Sequence, residues 1–427
     1  MRIVEEACPV KKVTTGPRCH FFGYYDKTTW DRSGRYLLAL RVPATVSHPT
    51  PQDASTIGLV DLKDRNRFRP VAQTTAWNWQ QGAMVQWLES TPTRQIIYNT
   101  RTAHGYGSTI CDTETGDERP LPFPIYAVSP DGHCALTVNY ARLRWTHPTI
   151  GYADASVPDR LPKAPSDDGI HALDLHSGES QLIVSLAQLV RIEPEPSMVG
   201  ALHWCSHVAY NLSGARFLFL HRWSQQVEDQ AAWFHRMFTA GTDGSDVVLL
   251  ESTGRMPSQP ADEGEHFQAK KYSTLVSHAT WRDETHILAW SHHNGETHYH
   301  LYRDRSSDVQ PVGVDVLTEN GHCTYSPDRR WVLTDTYPDP ACSKRSLILY
   351  HLDTNTRVDI GRFYSPPAGP KEDRCDLHPR WSRDGQRVCI DSTHGGERQM
   401  YIVDVSAVVN NEPICSPQWN KTRRHHA

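Results

Sequence analysis

The chain has 427 residues, 38% hydrophobic and 22% charged, with 13 Trp and 17 Tyr, so it carries material for a large core and does not have the composition of a disordered chain. A formal charge of −5 argues against a nucleic-acid protein that works through a basic face. No run of eighteen apolar residues is present to cross a membrane. The 10 Cys are scattered without a CxxC pair and read as free thiols of a reducing compartment. That points to a cytoplasmic protein, or to a secreted or periplasmic one if a leader has been removed.

In chain order, one unit recurs: an aromatic or β-branched strand, a short Asp/Ser/Gly turn, then a second strand. It appears as WDRSGRYLLALRV from Trp30, QWLESTPTRQIIYNT from Gln86, YAVSPDGHCALTVNY from Tyr126, HVAYNLSGARFLFLHRW from His207, HATWRDETHILAW from His278, HCTYSPDRRWVLTDTY from His322 and HPRWSRDGQRVCIDS from His378. Outer-hairpin segments such as STIGLVDL, IHALDLHSGES and RQMYIVDV follow most copies. Seven copies at this period predict an all-β fold, a single-domain seven-bladed β-propeller, with blades over roughly 20–75, 80–122, 123–190, 203–252, 273–313, 318–363 and 373–409 and a tail over 410–427. The segment Glu179 to Ile192 alone shows a helical apolar period and predicts a short helix. GYYDKTTWD, with Tyr24, Tyr25 and Asp26, reads either as lining the channel or as the strand that closes the ring.

The innermost strand of each propeller blade starts near the central channel, so residues just ahead of the turn unit converge from distant sequence positions. His207, His278, His322 and His378 hold that place in four consecutive blades. Neutral imidazoles converging in this way suit a divalent transition metal, and a neighbouring thiolate favours zinc over manganese. The expected ligands are His278, His322, Cys375 and His378, with Cys323 as a further sulfur source. The alternative is that each His caps its own blade by bonding to backbone.

Arg222, in FLHRW between His221 and Trp223, follows an apolar strand, where a guanidinium is costly unless it meets an anion. A substrate carboxylate fits, and so does an inter-blade salt bridge. His104, Tyr106, His147 and Tyr152 lie in Gly-flanked loops, where they read either as proton-transfer groups or as solvated loop residues. No G-x-S-x-G elbow and no phosphate loop in strand-to-helix context occurs, which removes a serine hydrolase carrying its propeller as a lid.

The combination of FFGYYDK, QGAMVQW, PIYAVSPDG, FLHRW, GHCTYSPDRRWVLTDTYPD and DLHPRWSRDGQRVCIDSTHGGERQMYIVDV resembles the seven-bladed propeller polysaccharide lyases. The likeness is nearest to ulvan and rhamnosyl-glucuronate lyases, with oligogalacturonate lyase more distant. It implies β-elimination at a 4-linked uronic acid, here a glucuronate in a rhamnose-containing glycan or ulvan, leaving a 4,5-unsaturated product. It further implies Tyr152 as base, with the acid role also open to it, His104 as partner acid or base, and Arg222 as the group that neutralises the carboxylate. Tyr210, His207, Gln86, Tyr25 and His221 would line the substrate, with Gln86 standing where family members can carry another active-site His. The metal would be structural, as in the ulvan enzymes, or would hold the substrate carboxylate, as in oligogalacturonate lyase. The implied partner is an acidic carbohydrate and the expected state a monomer. Two other readings are a metal-dependent oligogalacturonate lyase and a non-catalytic propeller that binds carbohydrate or protein.

Overall fold

The structure is a computed structural model that describes residues 2–89, 94–153, 161–253, 275–366 and 374–411. Seven sheets follow one another along the chain, each built on consecutive antiparallel strands, and two of them gain a further strand from the N-terminus. Blade 4 shows the plan: an innermost strand Leu202–Tyr210, then Arg216–Ser224, Phe234–Gly241 and an outermost Val248–Ser252. Its second strand is buried along its whole length, as expected of a strand covered on both faces by neighbouring blades. The architecture is the all-β seven-bladed propeller that the repeats predict.

The inner turn is the same device in several blades. In blades 3, 6 and 7, Ser129, Ser326 and Ser382 each bond the Asp two residues on at 2.5 Å. Each of these Ser Oγ atoms also accepts the backbone N–H five residues on, at 3.0, 3.0 and 2.9 Å. This is why S-x-D recurs at the blade's inner hairpin.

Ring closure uses residues that precede the first repeat. Val10–Lys12 pairs antiparallel with Gln399–Asp404 and supplies the outermost strand of blade 7. Arg2–Glu5 adds a parallel fifth strand to blade 6 beside Thr356–Tyr364. GYYDKTTWD is therefore not the closing strand; it enters the channel. The expected helix over Glu179 to Ile192 is also corrected: Ser180–Ser185 is a strand and only Leu186–Arg191 is helical. Pairing with Gly169–Asp174 overrides the helical period there, and Ser185 caps the helix by accepting from Gln188 N. A second helix, Tyr140–Thr146, follows the second strand of blade 3. No described helix is long and apolar enough to cross a membrane.

Candidate functional site

Three of the four axial histidines owe their direction to a distorted backbone. His207 and His278 fall at register shifts in the innermost strands of blades 4 and 5, and both have φ near +55° (55° and 54°). His378, two residues ahead of the inner strand Arg380–Trp381, has φ 41°. A β-bulge re-aims one side chain, and a non-glycine residue held at positive φ is strained, a feature that clusters at sites. Blade 2 repeats the positive φ at Met84, 51°, but there the side chain belongs to the core of blades 2 to 4.

The rings meet around the entering N-terminal segment. Tyr24 lies 5.5 Å from His207 and 5.2 Å from His378 between centroids, and Tyr25 lies 5.9 Å from His278 and 5.2 Å from His322. The segment is pinned by Asp391, which accepts from Phe22 N at 3.2 Å and Gly23 N at 3.3 Å while Arg380 Nη2 holds its other oxygen at 2.7 Å. Gly23, φ +125°, is required here: a Cβ would stand 2.7 Å from the carbonyl carbon of Gln81.

His322, Asp376 and His378 form the metal-competent group, with one ligand atom from each lying within 4.8 Å of the others. His278 is adjacent, its ring 4.2 Å from that of His322. Asp335 lies 2.9 Å from His322 Nδ1 and Asn320 Oδ1 lies 2.8 Å from His278 Nδ1, which leaves Nε2 of both rings to face inward. Metal-ligating imidazoles are oriented by outer partners of this kind. His378 Nε2 is enclosed and has no hydrogen-bond partner among the described residues, so the donor set fits a cation. Burial first, then the neighbouring His322, holds His278 and His378 well below the usual imidazole range, and both are neutral. Burial alone would raise the Asp376 carboxyl, but Arg374 Nη2 at 2.7 Å and Arg345 Nη1 at 2.8 Å outweigh it and keep it ionised.

Cys375 is not in this group. Asp376, its neighbour in the chain, is the residue brought together with His322 and His378. Leu377 belongs to the core of the last two blades, and burial pushes the Cys375 thiol up to about 11, far from a ready thiolate. Cys323 bonds the His278 carbonyl at 3.0 Å. With oxygen in place of sulfur, the stated preference for zinc loses its basis.

Beside the cluster lies a cavity of about 230 Å³ lined by Tyr24, His147, His207, Arg222, Trp233, His235, His278, His322, Tyr337 and Arg374. Arg222 is 3% exposed. Its Nε donates to His235 Nδ1 at 2.9 Å and its Nη1 to Ser206 Oγ at 2.6 Å, with His207 Nδ1 at 3.1 Å. Among the described residues no carboxylate pairs with it; the groups that favour its charge are the phenols of Tyr24, Tyr126 and Tyr25, while burial lowers it to about 10. The salt-bridge alternative therefore finds no partner among the described residues. His147 lines the same cavity, its ring 4.7 Å from Trp233 and without a hydrogen bond among the described residues. Burial, then the charge of Arg222, depresses His147, His207 and His235.

The other expected residues lie elsewhere. Tyr152 is fully buried in the core of blades 2 to 4, stacked on Tyr140 at 4.6 Å and 1°, with its hydroxyl bonded by Asn99 at 2.8 Å. His104 is exposed on the hairpin between Gln95–Thr102 and Gly105–Asp112, the two middle strands of blade 2. Neither lines the cavity, so the assembly of Tyr152, His104 and Arg222 is overturned. His221 points opposite to Arg222 on its strand and pairs with His203 at 3.0 Å. Gln86 bridges blades 2 and 3 by accepting from Val128 N at 3.1 Å, and with Tyr210 it lines a separate cavity of about 250 Å³. Asp376, Asp335 and His235 were not singled out from the sequence. The register Arg222↔His235 carries a signal for the last, since a hairpin folded about the intervening turn places the two side by side.

No protein-family description matches the chain, and no curated protein matches it. Among solved structures it is similar to oligogalacturonate lyase from Vibrio parahaemolyticus, with 13% identity over 93% of this chain and 94% of that one and a TM-score of 0.61. An oligogalacturonate lyase in complex with manganese is 14% identical over 94% of both chains, TM-score 0.59. A puromycin-hydrolyzing peptidase of Mycobacterium tuberculosis is 12% identical over 92% of this chain and 53% of that one, TM-score 0.52. At these identities the likeness shows the propeller fold.

Proposed function

We propose that this chain is a lyase that cleaves a 4-linked uronate oligosaccharide by β-elimination, of the oligogalacturonate lyase kind. The observation that carries the reading is Arg222, a buried guanidinium without a carboxylate partner among the described residues, placed in the wall of a cavity beside a metal-competent cluster. A C5 proton becomes removable only when the adjacent carboxylate is neutralised, so that charge moving onto it is stabilised. Arg222 supplies that from one side. His322, Asp376 and His378 would hold a divalent cation, manganese over zinc given the N/O donor set, whose chemistry is to polarise the same carboxylate.

His147 is the base in this reading, because it is neutral and has no competing hydrogen bond among the described residues. Burial, then the charge of Arg222, depresses it, and a carboxylate bound to Arg222 would cancel the second of these and strengthen the base as substrate arrives. The quoted motif likeness favours a second substrate reading, a glucuronate beside rhamnose as in ulvan. The test is the ultraviolet absorbance of the unsaturated product on oligogalacturonate, ulvan, rhamnose-glucuronate glycans and glycosaminoglycan oligomers, with manganese added. Turnover on the first alone supports the leading reading; turnover on ulvan or rhamnose-glucuronate alone moves the assignment there. Binding without absorbance across the panel overturns catalysis in favour of a carbohydrate-binding propeller.

A further inference from the structure

The hydrogen bonds around Arg222 determine which proton each neighbouring imidazole carries. Arginine has five N–H donors and no acceptor, so any ring nitrogen it bonds must offer a lone pair. Nε donates to His235 Nδ1 at 2.9 Å, which puts the proton of neutral His235 on Nε2. Nη1 donates to Ser206 Oγ at 2.6 Å and stands 3.1 Å from His207 Nδ1. A proton on that Nδ1 would face an N–H head-on. The Ser206 hydroxyl, already accepting from Arg222, instead gives its own proton to His207 Nδ1 at 2.9 Å.

We infer that Arg222 and Ser206 lock His207 and His235 as Nε2–H donors, making this wall a donor nest for a substrate carboxylate and for the departing oxygen, and barring both rings from acting as the base. Ser206 is a positioning residue: it is fully buried and acts through His207 and Arg222. The inference rests on reading the cavity as a uronate site for its functional half; the tautomers stand on the hydrogen bonds alone. It also explains why two imidazoles crowd one cation without a carboxylate: each neutral ring accepts from the guanidinium on one nitrogen and turns a donor outward on the other.

Histidine-selective nitrogen-15 spectra of the full chain test the tautomers directly. For both rings the expected result is an unprotonated Nδ1 and a protonated Nε2, and in Ser206→Ala a mixed signal for His207 with His235 unchanged. A protonated Nδ1 in either ring of the unmodified protein overturns the proposal. The donor role is read by calorimetric titration of free galacturonate. His235→Gln, which keeps an N–H donor, should bind within about threefold of the parent, and His235→Leu more than tenfold more weakly; equal loss in both overturns that role. Correct tautomers and donor dependence together with no lyase activity would sink the catalytic reading and leave this one intact.

Discussion

His322 and Asp335 form a buried pair across the inner hairpin of blade 6: the carboxylate accepts the His322 backbone N–H at 2.8 Å and faces its Nδ1 at 2.9 Å. One carboxylate thereby fixes both the backbone and the ring that point Nε2 at Asp376 and His378. If the group holds a cation, His378→Ala should empty the site, and Asp335→Asn should weaken metal affinity about 10- to 100-fold, the usual cost of an outer-shell partner. Elemental analysis after dialysis and a chelator titration followed by Tm read both. Metal retained by His378→Ala removes the assignment.

Arg222→Met should lower turnover of a uronate oligomer by about 10²- to 10³-fold, the scale for losing one preorganised charge-stabilising donor. Its effect on Tm should be small or positive, because a buried guanidinium with no counter-charge among the described residues costs desolvation energy in the folded chain. Steady-state rates and thermal scans separate the two quantities. A large fall in Tm with unchanged rate would make Arg222 a structural residue.

Tyr152→Phe should leave catalysis within about twofold and cost about 1 kcal/mol of stability, since the hydroxyl's described partner is the Asn99 amide in the core. His104→Ala should change neither, as the residue is exposed on its hairpin and does not line the cavity. Rates and denaturant midpoints check both. A strong catalytic defect in either variant would restore the loop residues to the mechanism.

The contrast between these residues and the axial histidines shows what the sequence made legible. Period and turn chemistry were readable because each blade repeats them: S-x-D turns and alternating strands fixed where inner strands begin, and hence that His207, His278, His322 and His378 meet. Side-chain direction within irregular backbone was not. Cys375 and Asp376 are neighbours in the chain, and only the fold of this stretch, which belongs to no strand or helix, decides which one groups with His378. Tyr152 looked exposed because it follows a glycine in a polar insertion, yet Tyr140 on a helix that no apolar period announced covers it. The closing strand Val10–Lys12 was missed for a related reason: all three of its residues are exposed, so it has no buried alternation to detect.

Acid should unfold the protein early. Burial, as the first cause in each, lowers His20, His203 and His300 to about 4 from 6.5, and it holds His147, His207, His221, His235, His278 and His378 well below that value. Between those limits the unfolded chain binds protons that the folded chain refuses, so stability rises with pH there. The contribution is complete above about pH 6.5 and is lost as pH falls toward 4, at about 1.4 kcal/mol per pH unit for each such proton. Tm should therefore be flat from pH 8 to 7 and fall steeply below 6.5. His300 does not line the cavity and bonds Ser291 at 3.0 Å, so His300→Gln should reduce the acid slope by about one proton without touching activity. A pH-independent Tm between 6.5 and 5 would mean that these rings are protonated in the folded chain.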